Sequence, residues 1–413
     1  MKAWSDLYIP PLDQRFRLKA LALHDSATAS VRALPTKSVY RMYVCGITPY
    51  DATHLGHANT YLAFDLINRY LRATGAEVKF VENITDVDDP LLERAIRDGV
   101  DWKDLAHSQI ELFKSDMVAL HVIPPAHYIG AVEAIPQVIT AIKKLQANNS
   151  VYKVEEDLYF KVRSDSDFGR RSNLSQGEME KIFAERGGDP TKPGKKDPLD
   201  ALLWLAKRPN EPSWESEFGP GRPGWHIECC AIALNFLDLA DGDEFSVDIQ
   251  GGGSDLIFPH HEMSAAQSKM INGREFASHY VHAGMIGLDG EKMSKSKGNL
   301  VLVSNLLKQG HDAMAIRLAL LSHHYRSDHM WVDSDLAEAE GLLDDLRIAL
   351  SRTEVAPTDD TVIEIANSLA NDLDTPAAIK SLRKWLASTN AGNIGGSPGE
   401  LSRAIDTLLG IAF

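Results

Sequence analysis

Three short segments and one dispersed set carry residue types that could do chemistry together. Residues 49–57 read PYDATHLGH, with His54 and His57 three apart. At that spacing both rings share one face of a first helical turn, where backbone N–H groups favour anions. Gly56 between them lets a nucleotide approach the backbone. Residues 290–298 read GEKMSKSKG, placing Lys292, Lys295 and Lys297 in a glycine-flanked loop suited to neutralising a departing diphosphate. Residues 251–255, GGGSD, follow a strand-like run. Glycines there let a flat base lie on the backbone, and Asp255 can accept from ribose hydroxyls. Taken singly, each also reads as a helix start, a solvated loop or a tight turn.

The fourth set is dispersed. Cys45 ends a strand-like run, Cys229 lies early in an apolar helix, and His260 lies in FPHHE. Two thiolates and an imidazole suit zinc. The separations are too long for a local metal motif, and a lone cysteine is usually a small buried hydrophobe. Cys230 and His261, beside these residues, read as packing or hydrogen-bonding neighbours. Residues 219–224, GPGRPG, match a dinucleotide fingerprint but lack a preceding strand. Two prolines there remove N–H donors, so the segment reads as a rigid turn.

The elements that must position these groups follow from periodicity. Val39 to Val44 alternates as a strand, 58–73 is helical up to Gly75, and 77–81 is a second strand. This βαβ unit implies a parallel α/β sheet, whose carboxyl edge binds ligands. Residues 102–145 are helical, broken at Pro124-Pro125. Residues 150–220 are rich in glycine, proline and charge, with a strand-like piece at 158–162, and read as an insertion. A helix at 227–237 and a strand at 245–249 resume the α/β pattern. Beyond Val303 the chain is helical, with a stripe of Leu336, Leu342, Leu343, Leu346 and Leu350 and a cap at Asp374 before Pro376. The expected division is 1–125 for the first half of the catalytic domain, 126–215 for an inserted subdomain, 216–303 for the second half, and 304–413 for a helical domain.

Composition narrows the class. The 413 residues are 44% hydrophobic and 24% charged, ordinary for a globular protein and wrong for a disordered one. Three cysteines cannot staple such a chain, which points to a reducing, cytoplasmic setting. No apolar run reaches the ~20 residues of a membrane span, and the N-terminus lacks a signal-peptide core. A net charge of −15 argues against a generic polyanion binder.

HLGH followed by KMSKS, in that order across two α/β halves, resembles the class I aminoacyl-tRNA synthetases. That resemblance implies a Rossmann-type catalytic domain that condenses ATP with an amino acid carboxylate. MYVCGIT, NITDVDD, GRPGWHIEC and GGGSDLIFPHHE resemble cysteinyl-tRNA synthetase over about residues 40–330. In that family zinc binds the substrate cysteine sulfur, and the resemblance assigns one zinc to Cys45, Cys229 and His260. It places Thr48, Asn83, Thr85 and Trp225 around the amino acid. Gly253, Ser254 and Asp255 fall under ATP, with the backbone near Ile286. His54, His57, Lys292 and Lys295 meet its phosphates, with Mg2+ on the leaving diphosphate. Gly46, Ile47, Thr60 and Ile84 complete the expected cysteinyl-adenylate site.

Four departures redirect the reading. Where the synthetase has a fourth zinc ligand, a Glu, this chain has Ser264. PYD replaces the usual VYD at residues 49–51, ERGGDP occupies residues 185–190, and the chain ends soon after the helical segment. These features resemble the mycothiol-pathway ligases, relatives of cysteinyl-tRNA synthetase that join cysteine to the amine of glucosaminyl-inositol. Residues 331–413 hold six basic and fourteen acidic side chains, a net of −8 that would weaken a grip on tRNA phosphates. The expectation is a monomeric two-step ligase acting on L-cysteine, ATP and glucosaminyl-inositol, without tRNA or membrane. A short cysteinyl-tRNA synthetase and a non-catalytic paralogue are the alternatives. Asp86, Asp88 and Asp89 read equally as a base for the amine or as a solvated turn. ERGGDP has no mechanism derivable from its residues and suits a turn near the sugar.

Overall fold

The structure, a computed structural model, describes residues 1–50, 53–237, 243–288, 290–292 and 300–413, the side chain of Lys292 excepted. Its centre is a five-stranded parallel sheet in the spatial order Glu275–Ala283, Phe245–Gly253, Val39–Val44, Glu77–Ile84, His127–Gly130. The first half of the chain builds outward from Val39–Val44 on one side. The second half returns on the other, with Met42 opposite Ile249 and Val44 opposite Gly251. The order therefore reverses between these two strands, and the crevice at their carboxyl ends is where such sheets bind ligands.

The strand VYRMYV is almost wholly buried, as a parallel strand covered on both faces must be. The helix after it spans Leu55–Ala73, three residues earlier than its apolar stripe suggests. His54 is its N-cap, and its ring accepts from the His57 N–H at 3.3 Å. The HLGH segment thus forms the cap and first turn, as the spacing of its histidines implied. Gly46 is obligatory at the strand exit: a Cβ there would lie 1.6 Å from the Asn83 carbonyl oxygen.

Two sheet strands escaped the sequence reading. After the helix Trp102–Ala119 the chain passes Pro124-Pro125 and re-enters the sheet as His127–Gly130. The central sheet therefore extends past residue 125, because the prolines end helical pairing and leave an extended chain. Glu275–Ala283 forms the opposite edge of the sheet, with Ser278, His279 and His282 interrupting its apolar pattern.

Residues 151–223 contribute a four-stranded antiparallel sheet, Val151–Val154, Asp157–Phe160, Ala201–Ala206 and Gly221–Pro223. The helix Gln176–Glu185 beside it opens with a reciprocal Ser175–Glu178 capping box. Gly219 turns the chain at φ +97° into the last of these strands, so GPGRPG is a turn and strand rather than a phosphate loop. The core beneath this sheet includes Ile227, Cys230 and Met263 from the catalytic helices, so insert and catalytic domain share one apolar interior. Cys230 is a packing residue there.

The C-terminal helices Asp333–Leu350, Asp359–Ala370, Thr375–Asn390 and Pro398–Leu409 pack through leucines, Leu336, Leu342, Leu343 and Leu346 among them. Asp374 caps its helix by accepting from the Ala377 N–H at 3.0 Å. A buried ionic knot ties this bundle to the catalytic helix. Arg69 donates to Asp65 (2.7 Å), the Asp406 carbonyl (2.7 Å) and the His121 carbonyl (2.6 Å). Arg317 donates to Asp65 and to the carbonyls of Leu409 (2.7 Å) and Leu120 (2.8 Å). Among the described residues, no helix is long and apolar enough to cross a membrane.

Candidate active site

A cavity of about 470 Å³ opens at the sheet's order reversal. Its walls bring together Cys45, Gly46, Ile47, Thr48, His54, His57, Thr60, Trp225, Gly253, Asp255 and Ile286 from five separate segments. Every one of these was expected at a nucleotide or amino acid site. His54 and His57 stack with ring centroids 3.6 Å apart, so they act as one imidazole platform at the helix start. The Thr60 hydroxyl donates to the Gly56 carbonyl at 3.1 Å.

Other expected residues stand elsewhere. Asn83, Ile84 and Thr85 lie behind the wall. The Asn83 side-chain Oδ1 accepts from the Gly46 N–H (2.9 Å) and the Tyr43 hydroxyl (3.0 Å), and its Nδ2 donates to the Thr85 hydroxyl (3.3 Å). They brace the strand exits and are fully buried. Ser254 opens a short 3-10 turn beside the cavity. Lys292 ends the two-residue strand Glu291–Lys292, paired against Ile286–Leu288. Its side chain and the whole of Lys295 lie outside the described residues.

The dispersed thiols and imidazole do meet. Ligand atoms of Cys45, Cys229 and His260 all lie within 4.8 Å of one another, and all three residues are buried. The sheet delivers Cys45 at the end of its strand, the helix Trp225–Leu237 delivers Cys229 in its second turn, and a tight π-type turn delivers His260. Burial pushes the Cys229 thiol up. Hydrogen bonds from Cys45 and Tyr43 and the proximity of His260 reverse that, leaving it well below its ordinary value. Cys45, by contrast, is held well above, chiefly by burial. Among the described residues the buried His260 Nε2 has no hydrogen-bond partner, while its Nδ1 meets His226 Nδ1 at 3.0 Å. An imidazole fixed at one nitrogen and unsatisfied at the other, beside two thiols, is the donor set of a soft divalent metal. The residues therefore fit zinc.

A supporting chain lies behind them and was not foreseen. Cys45 Sγ contacts His261 Nε2 at 3.2 Å, His261 Nδ1 meets His282 Nε2 at 2.7 Å, and His282 Nδ1 meets Ser26 at 2.8 Å. Burial holds His282 down at about 3, and His261 and His226 well below their ordinary value, so these rings are neutral. Trp225 stacks on His260 at 4.2 Å. Ser264 turns its hydroxyl onto the His226 carbonyl at 3.2 Å, which makes it a brace for the cluster. Glu228 and Glu82 are buried close by, with carboxyls raised by desolvation. The HHE and WHIEC strings held the signal for His226 and His261. His282 and Ser26 gave none, because only the folded sheet brings them near.

Comparison with known proteins follows the geometry. Residues 31–341 match the family of tRNA synthetases class I (C) catalytic domain. A solved Mycobacterium tuberculosis methionyl-tRNA synthetase in complex with methionyl-adenylate superposes with a TM-score of 0.62 at 17% identity, covering 90% of this chain and 88% of that one. At that identity the likeness concerns the fold alone. Three relatives are each named L-cysteine:1D-myo-inositol 2-amino-2-deoxy-alpha-D-glucopyranoside ligase. That of Nocardia farcinica is 53% identical over the full length of both chains. That of Thermomonospora curvata is 54% identical over 95% of this chain and 94% of its own. That of Streptomyces coelicolor is 53% identical over both full lengths. The chain belongs to the class I (C) tRNA synthetase catalytic-domain family and, within it, to the L-cysteine:1D-myo-inositol 2-amino-2-deoxy-α-D-glucopyranoside ligases.

Proposed function

We propose that this chain is an ATP-dependent, AMP-forming ligase that activates L-cysteine and transfers it to the amine of glucosaminyl-inositol. The observation that carries the reading is the Cys45–Cys229–His260 cluster, whose Cys45 lines the same cavity as His54 and His57. A thiol-selecting corner beside an anion-binding helix start is what cysteine activation requires.

Cys45, Cys229 and His260 would hold one zinc, which when bound favours the thiolate of cysteine over the hydroxyl of serine. Thr48 and Trp225 border the amino acid, and Asn83 and Thr85 hold the strand exits that shape its pocket. ATP lies against Gly253, Ser254 and Asp255, with its base near the Ile286 backbone. Its phosphates lie over His54 and His57, with Lys292 and Lys295 reaching them from the loop. The cysteine carboxylate oxygen attacks the α-phosphorus, and the bond to diphosphate breaks as negative charge moves onto the leaving group. Magnesium, when bound to that diphosphate, would add charge neutralisation. Positioning and fixed positive charge carry this step without a protein nucleophile. The working unit in this reading is a monomer in the reducing cytoplasm, a setting its free thiols suit.

A direct competition tests the acceptor. Cysteine, ATP, glucosaminyl-inositol and bulk tRNA are supplied together with labelled cysteine. The label is expected in a small amide stable to mild base. Base-labile label on tRNA, with none in the sugar, would overturn the ligase reading and restore the synthetase one.

A further inference from the structure

A second cavity, of about 840 Å³, adjoins the first. Thr48, Tyr50, Trp225, Asp255 and Leu256 border both, so the two are rooms of one site divided by Trp225. Its far wall is the inserted subdomain, and that wall is built by ERGGDP. Arg186 donates to the carbonyls of Asp255 and Phe258, fastening the insert to the glycine turn of the first cavity. Gly187 turns the chain at φ +82°, and Gly188 lies flat on Phe183, where a Cβ would come within 2.5 Å of the ring. The Asp189 carboxylate accepts from the Tyr159 hydroxyl (2.5 Å) and from Lys195 (2.9 Å). The motif is thus a cavity wall, which its spacing alone could not show.

The chemistry of the walls selects a ligand class. Among the described residues, seven carboxylate residues and four cationic ones line this space. Several are already paired within the wall: Asp157 is clasped by Arg208 (2.9 Å) and Lys192 (2.9 Å), and Arg222 lies between Asp89 and Glu211. Fixed, mutually oriented donors and acceptors suit a polyol, which offers hydroxyls to both. The excess of carboxylates favours one cationic amine and opposes a phosphate backbone. Asp88 lies on the catalytic-domain wall, and its Oδ1 already accepts from the Asp89 N–H at 2.9 Å at the start of the helix Asp89–Asp98. The volume lies within the range of small-molecule sites, roughly 300–1,000 Å³.

We propose that this second cavity, walled by residues 185–190, is the acceptor site, binding a polyhydroxylated amino-sugar with its amine toward Asp88 and Trp225. The assignment rests on the ligase reading above and locates its second substrate. The amine crosses from this room as its free base, one proton having passed to water in the open cavity. Its nitrogen bonds to the adenylate carbonyl carbon, the bond from that carbon to the phosphate oxygen breaks, and the second proton leaves on AMP. Asp88 binds and orients the amine. Arg186 is a positioning residue that keeps the two rooms in register.

Two variants test the placement, each read in two assays. Asp88→Asn keeps a helix-capping oxygen and removes the charge, and Leu205→Trp fills the insert wall. The first assay is cysteine-dependent ATP–diphosphate exchange, and the second is amide formation across a glucosaminyl-inositol titration. Each variant is expected to raise the KM for the sugar at least about tenfold while exchange stays within about twofold of the parent. Parental sugar KM in both variants would overturn the placement and leave the ligase reading intact. Loss of exchange in Asp88→Asn equal to its loss of amide would also overturn it, by moving Asp88 into the activation step. A parent that exchanges diphosphate yet forms no amide with the sugar would instead overturn the ligase reading, and the acceptor site with it.

Discussion

Two buried polar clusters adjoin the catalytic sheet of this protein, and they are opposites. In the knot of Asp65, Arg69 and Arg317, every guanidinium nitrogen has an acceptor, and the Asp65 Oδ1 accepts from the Ile123 N–H at 2.9 Å. At the corner of Cys45, Cys229 and His260, an imidazole nitrogen and a neighbouring Glu228 oxygen have no partner among the described residues. Desolvating a polar group without a partner costs about 1–3 kcal/mol. A fold keeps such a cost only where something is gained elsewhere. The satisfied cluster holds domains together, and the unsatisfied one is the corner to which the proposed function assigns chemistry.

The sharpest way to break this contrast is Cys229→Ala. It is expected to abolish zinc retention and to lower cysteine-dependent exchange by about 10³-fold or more, the several kcal/mol a metal centre supplies. Metal analysis and exchange assay check it. Stoichiometric zinc in the purified variant would remove Cys229 from the ligand set. Because this corner contributes little to packing the bundle, the melting temperature should move less than in the next variant.

Asp65→Asn should do the reverse. It leaves two buried guanidiniums facing each other, a loss of about 3–5 kcal/mol in denaturant unfolding. The folded fraction should keep its exchange rate. Burial raises the Asp65 carboxyl, but Arg69 and Arg317 outweigh it and hold the carboxyl below its ordinary value. A depressed folded pKa gives stability that is present above the unfolded value, about 4, and lost as pH falls through the folded one. The parent should therefore lose this contribution below about pH 4. Asp65→Asn should show a flatter acid limb there, and an unchanged limb would place the acid sensitivity in other carboxylates.

His261→Leu gives the smallest expected effect and tests the border between the clusters. It removes the contact to Cys45 at 3.2 Å while keeping volume. Zinc affinity should fall about 10–100-fold, with activity recovered by added zinc. Irreversible loss would make His261 a ligand rather than a brace.

Legibility in the sequence followed the same divide. HLGH, GGGSD and the strand VYRMYV could be read because their residues are neighbours along the chain. The cluster of Cys45, Cys229 and His260 could not be assembled from spacing and came only through resemblance. Arg69 and Arg317 resemble ordinary helix-surface charges, and nothing local says that they are wholly buried. The strand Glu275–Ala283 carries a histidine, His282, where a buried strand normally has an apolar residue, because His282 backs the thiol corner through His261. The role of residues 185–190 was unreadable for a related reason. Its contacts reach Tyr159, Asp255 and Phe258, so its meaning lies across the cavity and not within the motif.

The order of strands has a consequence for synthesis. Val39–Val44 emerges from the ribosome early, yet its partner Phe245–Gly253 follows about two hundred residues later, a long loop to close before the sheet can be completed. Cys45 belongs to the early half, and Cys229 and His260 to the late half. A nascent chain therefore has a lone thiol and no chelating set until the second half has been made and has paired with the first. On the proposed zinc assignment, metal loading would read out finished topology: a chain stalled within the insert would lack Cys229 and His260, and a loaded chain would have its two halves joined in the right order.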